Sequence, residues 1–357
     1  MAVKKEIHPI VLVLIFLGAL LIFSGLSWFY LVSPVDRGNK EEIKIVIKSG
    51  TSTTQIGEIL KEKRLIRSTY LFKIYIKLYK VKSLKADTYI FTQDMSLSEI
   101  IYSLENGSDN NPDIVKLTFK EGKRIIDYAE LISQKTNNTY DEVINVFKDR
   151  EYTKTLINKY WFLTDKILDS SIYYPLEGYL APDTYHFDNE EVEIKDIIIK
   201  MLDEMEAKLE PYKSQLESDI HYYITMASIV ELEGTNTENR KIIVGVFKNR
   251  LASGYNLGSD VTTYYGLQAS LNKDLKSADF TKENAYNTRT NAMVGKMPIG
   301  PICSVGISSI EASINPTPND YLFFVADKHG NIYYSRTNQE HDRKIAEIKA
   351  KGDWIFD

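Results

Sequence analysis

A single cysteine, Cys303, stands among 357 residues. That scarcity excludes an intramolecular disulfide and any Cys-rich zinc site. The five histidines (His8, His186, His221, His329 and His341) are widely spaced and form no H-E-x-x-H pair, so no structural zinc is expected. Neither G-x-x-x-x-G-K-[ST] nor G-x-G-x-x-G occurs, so no nucleotide site is indicated, and no cofactor is expected. An excess of positive charge is also missing. Lys plus Arg number 44 against 49 Asp plus Glu, a net charge of -5, which does not suit a broad nucleic-acid surface. There is no internal repeat of fixed period and no low-complexity block. What is present is the balance of a folded chain, 43% hydrophobic and 26% charged, at a length that allows two or three domains. The 24 tyrosines suit sugar rings, but ordinary half-buried packing is the reading for most of them.

Ile10 to Val32 contains no charged residue. At about 1.5 Å per residue this run is long enough for a hydrocarbon core of roughly 30 Å. Lys4 and Lys5 precede it, which predicts that residues 1–9 stay in the cytoplasm. A cleaved signal peptide has a shorter apolar region and a small-residue cleavage site, whereas this run ends in the interfacial anchors Trp28, Phe29 and Tyr30. The expectation is a single-pass helix over 10–32 in the cell membrane, with the rest of the chain outside. An exported chain without disulfides relies on a large hydrophobic core, as suits a bacterial envelope protein.

Residues 33–41 read as a linker. Glu42 to Lys48 alternates Ile43, Ile45 and Ile47 with Lys44, Val46 and Lys48, a strand signal, and Ser52 or Thr53 is placed to cap a following helix. Helical spacing returns at Ile56, Ile59 and Leu60, at 70–79, and at Leu97, Ile100, Ile101 and Leu104, with a short strand over 89–92. Asn106 to Pro112 is rich in turn formers and marks a boundary, giving one module over 42–110 and a larger one over 113–357. The first module resembles a LysM-like glycan-binding unit. A small α+β spacer fits the same pattern. The second begins with a strand at 114–119, a Glu121-Gly122 turn and a helix from Ile125. It continues through helices near 140–147 and 194–209, then helices and Gly- and Pro-rich loops from His221, to a buried strand at 321–326 with a hairpin partner at 332–335. The fold class is α+β, with a larger mixed α/β domain following the small module.

The segment His221 to Gly234 carries the most chemistry. Ile220, Ile224, Ala227 and Glu231 fall on one helical face, so Glu231 continues an apolar stripe. Desolvation there favours the protonated form, as a general acid requires. Glu233 lies two positions on and points elsewhere. The plain alternative is an ion pair between Glu231 and an Arg such as Arg240 or Arg250. Glu177, Asp183, Asp260 and Glu311 are further carboxylates in polar or loop settings. Ser270-Leu271-Asn272-Lys273 fits S-x-x-K, but the one K-[ST]-G match, Lys48-Ser49-Gly50, lies upstream rather than downstream, so a penicillin-binding acyltransferase is rejected.

Ala227-Ser228-Ile229-Val230-Glu231 resembles the catalytic signature of the endolytic murein transglycosylases, the MltG or YceG-like family. Several further segments follow in the family's order: 176–185 (LEGYLAPDTY), 246–251 (VFKNRL), 259–262 (SDVT), 285–288 (AYNT), 298–302 (PIGPI), 321–326 (YLFFVA) and 337–341 (TNQEH). Ala181, Leu232, Val261 and the Cys303–Gly306 segment depart from the family pattern. These changes touch loop rigidity and sugar contacts and leave the acid in place.

The resemblance implies that Glu231 is a single catalytic acid/base. It would protonate the glycosidic oxygen between N-acetylmuramic acid and N-acetylglucosamine, then take the proton from the muramic C6 hydroxyl as a 1,6-anhydro ring closes. It further implies Glu177, Asp260, Tyr286 and Asn287 as substrate-binding candidates, peptidoglycan strands as substrate, and cell-wall synthases as partners. Two other classes stay open: a lysozyme-like hydrolase using two carboxylates, and a non-catalytic peptidoglycan-binding scaffold.

Overall fold

The computed structural model describes residue 25 and residues 28–48, 50–107, 115–187 and 189–354. The membrane helix expected over 10–32 lies mostly outside the described residues. Among the described residues no helix is long and apolar enough to cross a membrane. They form two compact units, one ending at Gly107 and one beginning at Val115.

In the first unit β1 (Ile43–Ile47) pairs antiparallel with β2 (Asp87–Phe91), Ile45 opposite Tyr89. Helices α1 (Thr53–Glu62) and α2 (Thr69–Leu78) connect the two strands, and α3 (Leu97–Asn106) follows. Local chemistry sets these boundaries. Ser52 and Gln55 form a reciprocal capping box at α1, and Ser96 and Glu99 form another at α3, each satisfying amides that the helix start leaves open. The period-2 pattern turns Ile45 and Ile47 inward onto Ile56, Leu60, Phe72 and Leu104.

The second unit is mostly helical. Strand β3 (Val115–Thr118) pairs antiparallel with β4 (Thr184–Phe187), Leu117 opposite Tyr185. Helices α4 (Ile125–Lys135), α5 (Tyr140–Lys148), α6 (Arg150–Ile157) and α7 (Ile194–Leu209) build a first core. Helices α8 (Ile220–Glu233), α9 (Thr237–Ala252), α10 (Asp260–Gly266) and α11 (Ile307–Ile314) carry the site region. A hairpin of β5 (Phe323–Ala326) and β6 (Ile332–Ser335) and helix α12 (Asn338–Ala350) complete the unit. The three sheets among the described residues are two-stranded and antiparallel, so the fold is α+β, without the parallel sheet of an α/β domain. Strand β5 is half-buried throughout rather than buried. In this small hairpin Phe324 meets Phe247 of α9 while Phe323 stacks on His341 of α12.

Helix α8 differs most from its sequence pattern. It is covered on more than one side, with every residue from Ile224 to Glu231 buried. Ile220, Ile224 and Ala227 join the first core, while Met226, Ile229 and Val230 join a second one with Phe247, Leu257 and Ile302. The expected single apolar stripe is therefore one side of a central helix wedged between two clusters. Burial all round leaves little amphipathic signal to read.

Candidate active site

Asp219 caps the start of α8 by accepting from the Tyr222 amide at 3.2 Å, and Gly234 follows its last residue. Glu231 thus stands in the final turn. Its side chain is 4% exposed, and three donors converge on the carboxyl. Arg240 Nη2 of α9 donates to Oε1 at 2.7 Å, and the Gly306 amide and Ser309 Oγ donate to Oε2 at 3.0 and 2.7 Å. Gly306 is the N-cap of α11, so the carboxyl also meets the positive end of that helix. Of the two readings of the sequence, a desolvated acid on an apolar face or an ion pair with Arg240 or Arg250, the structure shows the ion pair, and the cation is Arg240. Arg250 donates instead to the carbonyls of Asn256 and Leu322.

Gly234 makes the ion pair possible. Its backbone is extended, so left-handed freedom is not its role. A Cβ there would overlap Arg240 Cγ, and its absence lets the arginine stem lie along the end of α8. Arg240 Nη1 also donates to Ser308 Oγ at 2.7 Å.

Of the substrate-binding candidates, three lie inside the protein. Glu177 is 2% exposed and accepts from the Ile125 amide at 3.1 Å and from Tyr265 Oη at 3.1 Å; burial pushes its pKa up to about 8. Tyr286 is buried beside Tyr173 and Tyr265, ring centroids 5.1 and 4.7 Å away. Asn287 is fully buried, accepting from Thr263 Oγ1 and donating to the carbonyls of Phe280 and Lys282. These side chains hold the walls together. Asp260, the fourth, begins α10 with its side chain 42% exposed and ion-paired to Arg289. Asp183 pairs with Lys208 at 2.7 Å, and Glu311 accepts from Tyr212 Oη.

Two carboxyls near Glu231 had no distinct signal in their own spacing. Glu233, expected to point away, is half-buried, accepts from Ser259 Oγ at 2.6 Å and has its pKa pushed up to about 7 by burial. The last turn of α8 is covered on more than one side, so stepping off one face does not lead to water. Glu121 lies in the turn before α4, against Gly306, and burial and the neighbouring Glu231 charge raise its pKa. A shared feature could have flagged both: each precedes a glycine, as does Glu177. A glycine lets another segment of the chain approach the neighbouring residue closely.

A cleft of about 170 Å³ opens at Leu232, next to Glu231 in the chain. Lys123, Arg124, Tyr264, Ser270 and Asn272 line it, a mixture of aromatic face and polar groups that suits a sugar. Cys303 is buried, with Sγ against the Ser228 carbonyl at 3.2 Å, and burial raises its thiol pKa, so it offers no nucleophile.

Residues 45–347 match the model of the YceG-like family. An endolytic murein transglycosylase of Streptococcus pneumoniae is 33% identical over 333 residues, covering 88% of this chain and 60% of that protein. One of Bacillus subtilis is 32% identical over 329 residues, covering 90% of this chain and 89% of that protein. The chain therefore spans less than two thirds of the pneumococcal relative and most of the bacillary one. A crystal structure of a yceG-like protein of Listeria monocytogenes superposes with a TM-score of 0.61 at 33% identity, covering 85% of this chain and 99% of that one.

Proposed function

The chain belongs to the YceG-like family, and from that membership we propose that it is a membrane-anchored endolytic lytic transglycosylase of peptidoglycan. The observation that carries the reading is Glu231, a buried carboxyl held by Arg240, Gly306 and Ser309 at the end of a central helix, with the Leu232 cleft beside it. Glu231 protonates the oxygen joining N-acetylmuramic acid to N-acetylglucosamine. The bond from the muramic anomeric carbon to that oxygen breaks, and the muramic C6 oxygen closes onto the anomeric carbon. The C6 proton returns to Glu231. One group thus serves as acid and then as base, and no water is consumed. The three donors seen around Glu231 suit the carboxylate half of this cycle. The Arg240 contact must loosen for the acid half, and Arg240 is the more exposed partner, its side chain 14% accessible against 4%.

The apolar run over 10–32 supports the anchor, with the N-terminus cytoplasmic and both units outside. An open groove of about 560 Å³ in the first unit, lined by Tyr75, Tyr79 and Tyr102, supports glycan contact by the LysM-like module. Membrane-bound cell-wall synthases suit an enzyme acting on strands as they are made.

The test is Glu231→Gln with product analysis. The variant should fold and lose at least about 10²–10⁴-fold in rate. Mass spectrometry of wild-type digests should show 1,6-anhydro-muramic ends and no reducing muramic ends. Wild-type activity in Glu231→Gln would remove that residue from the mechanism, and reducing ends would make the protein a hydrolase.

A further inference from the structure

Glu121 stands apart from the other carboxyls of this region. Its residue is exposed, and among the described residues its carboxyl has neither a hydrogen bond nor an ion pair. Yet the backbone carrying it is pinned. The Gly122 amide donates to the Ser304 carbonyl at 2.9 Å, and the Ser304 amide donates to the Lys123 carbonyl at 2.8 Å. Tyr128 Oη donates to the Lys120 carbonyl at 3.0 Å and shares a hydrogen bond of 2.6 Å with Ser304 Oγ. Both neighbours of Glu121 are thus fastened to the segment that leads into Gly306.

The side chain lies on Gly306 itself, where a methyl group would overlap the Glu121 carboxyl. The amide of the same glycine donates to Glu231 Oε2 at 3.0 Å. Two carboxyls therefore meet across one residue, the buried one paired with Arg240 and the solvent-facing one unpaired. A carboxylate needed only for the turn would be bonded within it, as Asp327 is by the Asn331 and His329 amides of its own hairpin. The charged groups acting on Glu121 are Glu231, which raises its proton affinity, and Arg240 and Lys208, which lower it.

We propose that Glu121 is a second catalytic residue, whose carboxylate faces the muramic anomeric carbon and stabilises its oxocarbenium-like transition state while Glu231 moves the proton. The inference rests on the transglycosylase reading above. Glu121 forms no covalent bond to the sugar and acts through the charge of its carboxylate.

Steady-state kinetics of the full chain on purified glycan strands test this. Glu121→Gln should lower kcat by about 10²-fold, the scale of a lost transition-state electrostatic partner. KM should stay within a few-fold, with anhydro ends retained in the product. Glu121→Asp, which keeps the charge, should recover part of the rate. A wild-type rate in Glu121→Gln would overturn the proposal, as would equal losses of kcat in the Gln and Asp variants, the mark of a turn residue. If Glu121→Gln does not fold, the Asp variant is measured instead: a lowered kcat with KM held within a few-fold supports the proposal, and a wild-type kcat overturns it. An active Glu231→Gln would instead overturn the transglycosylase reading.

Discussion

Glu177 is buried, and its protonation bears on stability. Its carboxyl, ordinarily near 4.5, is pushed up to about 8 by burial, against the pull of Tyr265 and the Ile125 amide. Between those two values the folded chain holds a proton that the unfolded chain releases. Stability therefore falls as pH rises across that window, by on the order of a few kcal/mol in all. Glu177→Gln should flatten the decline, because an amide carries no charge to desolvate. Urea midpoints measured from pH 5 to 8 check this; a decline as steep as wild type would mean that the loss originates elsewhere. Glu233, pushed up to about 7, accounts for part of what remains. The types and positions of these carboxyls were legible in the sequence. Their surroundings were not, because desolvation depends on what chain-distant segments lay over them.

At the scale of elements, the cap at Ser52 was legible, since it acts through Gln55 three residues away, and the structure adds Ser96 and Thr139 as caps of the same local kind. Strand β4 was not legible. Thr184–Phe187 is four residues long and finds its partner in β3, with Thr118 opposite Thr184 some 66 residues apart in the chain. Helix α8 was placed correctly by its pattern but misjudged in its surroundings. The junction of α8 and α9 gives a direct test. Gly234→Ala would put a methyl group on the Arg240 stem, while its extended backbone tolerates alanine. The expected result is a folded protein in which Arg240 no longer reaches Glu231. Leaving a buried carboxylate without its cation costs about 3–5 kcal/mol, so the melting temperature should drop at pH 7. An unchanged melting temperature would show that the stem has room to move.

For the whole molecule, the topology proposed from the apolar run over 10–32 and the Lys4/Lys5 flank, with both units on the outer side of the membrane, has a direct test. A reporter active only in the cytoplasm, fused after Asp357, should be silent, and a periplasm- or exterior-active one should report. Strong cytoplasmic activity would overturn the topology and remove the peptidoglycan strand as a reachable substrate. Each unit has its own hydrophobic cluster, which makes each a candidate for independent folding.

By itself the sequence determined what depends on near neighbours and on composition: an apolar stretch of membrane length, a helix cap at Ser52, a two-module layout, and motifs ordered as in one family. It also singled out Glu231, because a carboxyl in an apolar helix is a local anomaly. The tertiary structure alone decided the company that carboxyl keeps. Arg240, Gly306, Ser309 and Glu121 reach it from other elements, and Glu177, Tyr286 and Asn287 withdraw into the walls. The physical reason is that charge state and exposure are set by the sum of groups within a few ångströms. In a helix wedged between two cores, most of those groups come from distant parts of the chain.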